Sequence, residues 1–159
     1  MSSVRTEVVV EAPADRAFQV FTEKMATWWP ASHHIAKVPF KEIIVDRRSN
    51  GRWAEVGTDG SECEWGKVLV WDPPKRLVLG WQLKADFTYD PSFLTEVEVN
   101  FTPIDAGKTR VALEHRNREK FGANAEEFAK SIGSDGGWPL IMRQFAEAVS
   151  NRLPVAASN

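Results

Sequence analysis

The stretch Gly136-Gly137-Trp138-Pro139-Leu140-Ile141-Met142-Arg143-Gln144-Phe145-Ala146-Glu147-Ala148-Val149 constrains the fold most, because it is the one long helical pattern in a chain otherwise dominated by strands. Trp138, Ile141, Met142, Phe145 and Val149 recur at i, i+3, i+4, i+7 and i+11, with Arg143, Gln144, Glu147 and Ser150 on the other side. Such a stripe must be covered. The apolar partner on offer is a sheet, so a helix from about Gly137 to Arg152 is expected to lie across it, with room for function between the two layers.

The rest of the chain reads as strands. Val4, Thr6, Val8 and Val10 alternate with Arg5, Glu7 and Glu11, the period of a strand with one wet face. Pro13 ends it and opens a helix whose stripe is Ala14, Ala17, Phe18 and Phe21. A second short helix is expected to carry Met25, Trp28 and Trp29, followed by a loop through Pro39 that holds His33 and His34. Six further strands are expected at 41–47, 52–56, 63–71, 76–83, 93–101 and 109–115. Ser49-Asn50-Gly51, Thr58-Asp59-Gly60, Asp72-Pro73-Pro74, Tyr89-Asp90-Pro91 and Asp105-Ala106-Gly107 separate them, each with turn chemistry. Residues 125–132 form a candidate short helix in the polar segment 117–135. One domain over 1–153 and a tail over 154–159 are expected from the chain length of 159 residues.

Composition excludes several functions. The net charge of -2, from 20 basic and 22 acidic residues, leaves no footprint for nucleic acid. The single cysteine, Cys63, cannot form a disulfide within the chain, and no apolar run approaches a membrane span, so a cytoplasmic location is expected. No phosphate loop, GxSxG elbow or metalloprotease helix is present, and the adjacent His33 and His34 lack metal-ligand spacing. No cofactor and no metal are therefore expected. Seven Trp and nine Phe against one Tyr suit a wide aromatic-lined cavity or several strand-crossing clusters.

Alternation assigns some side chains to the covered face. Thr109, Val111, Leu113 and His115 oppose Arg110, Glu114 and Arg116, which turns His115 inward. There it either orients a ligand or moves a proton, or it is a strand-end histidine bonded to a neighbour. Trp81 shares a face with Leu77, Leu79 and Leu83, as pocket wall or as core. Trp53 and Glu55 alternate against Arg52, and a carboxylate on a Trp-bearing inner face needs a partner, a ligand or a wet mouth. With Trp29, His34, Trp138, Met142 and Phe145 these residues make up the candidate ligand pocket.

Several segments taken together resemble a known family. They are Glu11-Ala12-Pro13 leading into Ala17-Phe18, Trp28-Trp29, Gly51-Arg52-Trp53, Gly66-Lys67-Val68, Asp72-Pro73-Pro74-Lys75-Arg76-Leu77-Val78, Gly107-Lys108-Thr109-Arg110-Val111 and Gly137-Trp138. In order and spacing this set resembles the START-like (SRPBCC) superfamily of helix-grip proteins, which includes polyketide cyclases, and within it the branch named after the activator of the heat-shock-protein-90 ATPase. The resemblance implies an α+β helix-grip fold: a curved antiparallel sheet of about seven strands around a long C-terminal helix, with two short helices after the first strand. It implies a small hydrophobic ligand held between sheet and helix. Two rival readings stand beside it, a polyketide-cyclase-like enzyme using His115 or Glu55, and a chaperone-interacting module. Homodimerisation is left open.

Overall fold

The computed structural model describes residues 4–30, 33, 37–84, 88–132 and 137–150. His34 and the expected tail lie outside them.

Seven strands form one curled antiparallel sheet. They are β1 (Val4–Val10), β2 (Phe40–Val45), β3 (Arg52–Gly57), β4 (Glu62–Asp72), β5 (Arg76–Trp81), β6 (Thr95–Asp105) and β7 (Lys108–Arg116), in spatial order β1-β7-β6-β5-β4-β3-β2. Five of the six pairings join strands consecutive in sequence, as turns rich in Asn, Asp, Gly and Pro favour. The exception, β1 against β7, brings the two ends of the sheet sequence together with Val4 opposite His115. Between β1 and β2 run α1 (Ala14–Glu23) and α2 (Met25–Trp28), with Trp29 capping the latter in an extended conformation. After β7 comes a 3₁₀ stretch (Arg118–Asn124), then α3 (Ala125–Ile132) and α4 (Trp138–Ser150). The architecture is the helix-grip fold expected from the sequence.

The α4 stripe sits on the sheet as its spacing requires. Trp138, Ile141, Met142, Phe145 and Val149 are all buried, while Arg143 and Glu147 face water. Gly137 lets the helix start where it does: a Cβ there would come within 2.2 Å of the Ile132 carbonyl oxygen at the end of α3. Only glycine permits that approach. Pro139 in the first helical turn lacks a backbone donor where none is needed.

The outer face of the sheet is a mesh of ion pairs. Glu98 accepts from Arg76 and Arg116, Glu96 from Arg116, and Glu114 from Arg5. Arg76, with Arg116 beside it, holds the Glu98 carboxyl down to about 2. The inner face of the same strands is apolar, with Val97, Val99, Phe101, Val111 and Leu113 buried. This alternation separates a wet side from a covered side.

Two β-bulges modify the alternation on β4. Trp53 pairs with Gly66 and Ala54 with Glu64, which leaves Trp65 as an extra residue. Leu69 is extra in the same way between the pairs Val68–Leu79 and Val70–Val78. Each bulge changes which residues face inward, so Trp65 and Trp71, although they share parity with Lys67, contact inner-face rings.

Candidate functional site

Two aromatic clusters, which meet where Trp28 packs against Trp29 at 6.0 Å, fill the layer between sheet and helices. The first joins α1, α2, α4 and β6: Phe21 packs against Trp28, Phe101 and Phe145 with centroids 5.0, 5.8 and 5.1 Å apart. Its one indole donor, Trp28 Nε1, reaches the Val20 carbonyl at 2.9 Å. Phe145 belongs to this cluster.

The second cluster contains most of the candidate pocket. Trp53 and Trp81 sit on strands two apart, both paired with Gly66, and their rings meet at 6.0 Å across it. A Cβ on Gly66 would fall 1.7 Å from the Gly80 carbonyl oxygen, so no side chain is tolerated between the two indoles. Trp29, Trp65 and Trp138 complete the indole group, Trp29 lying 5.0 Å from Trp65 and 5.9 Å from Trp138. Trp81 and Trp138 are themselves 5.9 Å apart, and Phe128 of α3 closes on Trp81 at 6.3 Å. Of the candidates, Trp29, Trp53, Trp81, His115 and Trp138 come together here, and Glu55 is tied in through Trp65. Met142 is fully buried in the common core.

His115 is at the centre of this cluster, and its tautomer follows from its partners. Trp138 Nε1 donates to His115 Nδ1 at 3.1 Å. Because an indole N–H only donates, Nδ1 carries no proton and the neutral ring bears its proton on Nε2. Nε2 then donates to Thr95 Oγ1 at 2.9 Å, leaving the Thr95 hydroxyl to donate to the Trp81 carbonyl at 3.4 Å. Burial among uncharged rings pushes the imidazole down to about 3. Both ring nitrogens are thus engaged within the fold, the outcome expected for a strand-end histidine bonded to neighbours.

Of the alternatives for Glu55, the structure shows the bonded partner: the side chain is fully buried, the β4 bulge brings Trp65 over it, and the Trp65 indole N–H donates to Glu55 Oε1 at 2.8 Å. The bond offsets part of the cost of burying the polar group. The His33 backbone carbonyl accepts from Trp29 Nε1 at 3.0 Å.

Sequence reasoning missed Trp65, Thr95 and Phe128. Trp65 was hidden by the bulge and Thr95 by its ordinary strand context. Phe128 is part of a helix whose neighbours have no resemblance to guide them; it stacks on Phe121 at 3.9 Å. An open groove of about 1140 Å³ lies elsewhere, between α1 and the β4–β5 turn, lined by Arg16, Phe18, Arg47, Trp71, Pro73 and Pro74 among others. Nothing in the sequence pattern singled it out. Among the described residues no three His, Cys, Asp or Glu side chains gather as metal ligands would. Cys63 is half-buried, and burial pushes its thiol up, away from nucleophilic use.

The family model described as Activator of Hsp90 ATPase homolog 1-like protein matches residues 11–150. The chain belongs to that family. Solved structures agree. The anthrahydroquino-gamma-pyrone synthase Txn09 is 34% identical, with a TM-score of 0.65 over 92% of this chain and 96% of that one. CalC, a self-sacrificing resistance protein from Micromonospora echinospora, is 30% identical, with a TM-score of 0.69 over 92% and 93%. NE0264 from Nitrosomonas europaea shares the fold at 16% identity and a TM-score of 0.66, over 92% of this chain and 93% of that one. No curated protein matches the chain. The fold of this family member is consistent with a hydrophobic ligand-binding cavity, and among the described residues no helix is long and apolar enough to cross a membrane.

Proposed function

We propose that this domain binds a flat, mostly apolar small molecule between the inner face of the sheet and α4, against the cluster of Trp29, Trp53, Trp65, Trp81, His115 and Trp138. The observation that carries the reading is the concentration of five indoles and an imidazole where the inner face meets α2 and α4, joined by ring contacts and by the Trp138–His115 hydrogen bond. Edge-to-face contacts of this kind are each worth about 0.5–1.5 kcal/mol, and a planar guest would exchange some of them for ring–guest contacts of the same type. The likeness to Txn09 and CalC, both above a quarter identical, supports a small organic molecule as the guest.

A second reading, turnover of that guest, draws on the naming of Txn09 as a synthase. His115 is poorly suited to carry it. A base needs a free lone pair, and its Nδ1 lone pair already accepts from Trp138. The chaperone-module reading rests on the family description alone.

Fluorene, a flat tricyclic hydrocarbon, provides the test. It should quench tryptophan emission saturably, and Trp81→Ala should weaken the binding without unfolding the domain. Quenching that stays linear in fluorene concentration would contradict the proposal, because it would report collision with exposed indoles and no bound complex.

A further inference from the structure

Six indoles are buried in this domain: Trp28, Trp29, Trp53, Trp65, Trp81 and Trp138. The fold supplies an acceptor to five of them. Trp28 donates to the Val20 carbonyl, Trp29 to the His33 carbonyl, Trp65 to the Glu55 carboxylate, Trp81 to the Leu83 carbonyl and Trp138 to His115 Nδ1, all between 2.8 and 3.1 Å. The sixth, Trp53 Nε1, has no acceptor among the described residues, although Trp53 is 0% exposed. A buried N–H left unpaired is costly, and buried indoles almost always find a partner.

Trp53 is fixed by pairing with Val45 on one side and Gly66 on the other, and its ring touches Trp29, Trp65 and Trp81. It therefore stands amid the surface proposed to receive the ligand. The other polar atoms there are already used: both nitrogens of His115, the Thr95 hydroxyl, and the donors of Trp65, Trp81 and Trp138.

We infer that Trp53 is the specificity-determining donor of the site, and that the domain selects flat aromatic molecules carrying a carbonyl-type oxygen that accepts from Trp53 Nε1. This rests on the binding reading above. A hydrocarbon of the same shape fills the same space but leaves the donor unpaired, and a site built around one donor discriminates against the ligand that lacks its complement.

The test compares 9-fluorenone with fluorene, two planar tricycles that differ at one carbonyl, by titration calorimetry on wild type and Trp53→Phe. The ratio of the two affinities cancels their different hydrophobicities. That ratio should shift about tenfold against fluorenone in Trp53→Phe, the scale of one hydrogen bond in a buried site. A ratio unchanged within about twofold while both probes bind overturns the inference and leaves the binding reading intact. If neither probe binds wild type, the binding reading fails and takes the inference with it. Should Trp53→Phe fail to fold, wild type alone decides: the Trp53 indole proton resonance should lie further downfield in the fluorenone complex than in the fluorene complex, and the same position in both overturns the inference.

Discussion

The two aromatic clusters under the helices are built from similar rings and differ in what is buried with them. Around Phe21, Phe101 and Phe145 the rings are nearly all hydrocarbon, with one indole bonded locally to its own chain segment eight residues away. Around Trp53, Trp81 and Trp138 the same kind of packing encloses a carboxylate, an imidazole and a hydroxyl. The first arrangement is what stability alone asks of a core. The second carries buried polar groups whose desolvation must be offset bond by bond, and a hydrophobic replacement of equal volume would ordinarily be no worse. The comparison teaches that the Phe-rich cluster meets the demands of a core alone, while the Trp-rich cluster carries the polar groups on which the proposed recognition rests.

The largest expected effect breaks the first cluster. Phe145→Ala should cost about 3–5 kcal/mol in urea unfolding, because Phe21 and Trp28 cannot both close over the gap. A loss under about 1 kcal/mol would mean that Phe145 borders a space able to collapse or fill with water, and the division of roles would fail.

Acid comes next, and it acts on the second cluster. The folded His115 is held down to about 3 against 6.5 in its ordinary state, so between these values the unfolded chain binds the extra proton. Stability is therefore complete above pH 6.5 and falls as pH drops toward 3. Between pH 7 and pH 5 this amounts to about 2 kcal/mol, measurable as a shift in urea midpoint. The lowered carboxyl of Glu98 adds its own loss only below its ordinary 4.5, outside that window. A flat stability profile from pH 7 to 5 would show that His115 can accept a proton in place, which would reopen its use as an acid or base.

Trp65→Phe should cost less, about 1–2 kcal/mol, by removing the donor to buried Glu55 while keeping most of the ring. Trimming the outer mesh sets the lower end: Arg5→Ala removes an ion pair whose arginine is 76% exposed and should change stability by less than about 0.5 kcal/mol.

These contrasts explain what the sequence could reveal. The helix-grip arrangement was implied by the family resemblance, while the α4 stripe and the strand alternation each follow a fixed period, so the long helix, the strands and the inward turn of His115 and Trp81 were legible in the sequence. Residues 125–132 were legible as a helix for the same reason. Trp65 was not, because a bulge shifts the period by one residue and leaves no mark in the local sequence. Nor was the polar network: alternation places His115 on a face, but whether it finds Trp138 and Thr95 depends on where α4 begins, and that is set by the close approach at Gly137. The expected pocket also treated Phe145 and Trp138 as equivalent members of one stripe. They are seven residues apart, about 10 Å along the helix, and fall into different clusters.

The central claim is that ligand recognition belongs to the Trp-rich cluster, and mapping a bound planar probe on the indole N–H resonances tests it most directly. On titration with fluorene the signals of Trp53, Trp81 and Trp138 should move together and saturate, while those of Trp28 in the Phe-rich cluster and Trp71 in the groove beside α1 stay in place. Movement confined to Trp71, or to Trp28, would put the ligand elsewhere and contradict the account.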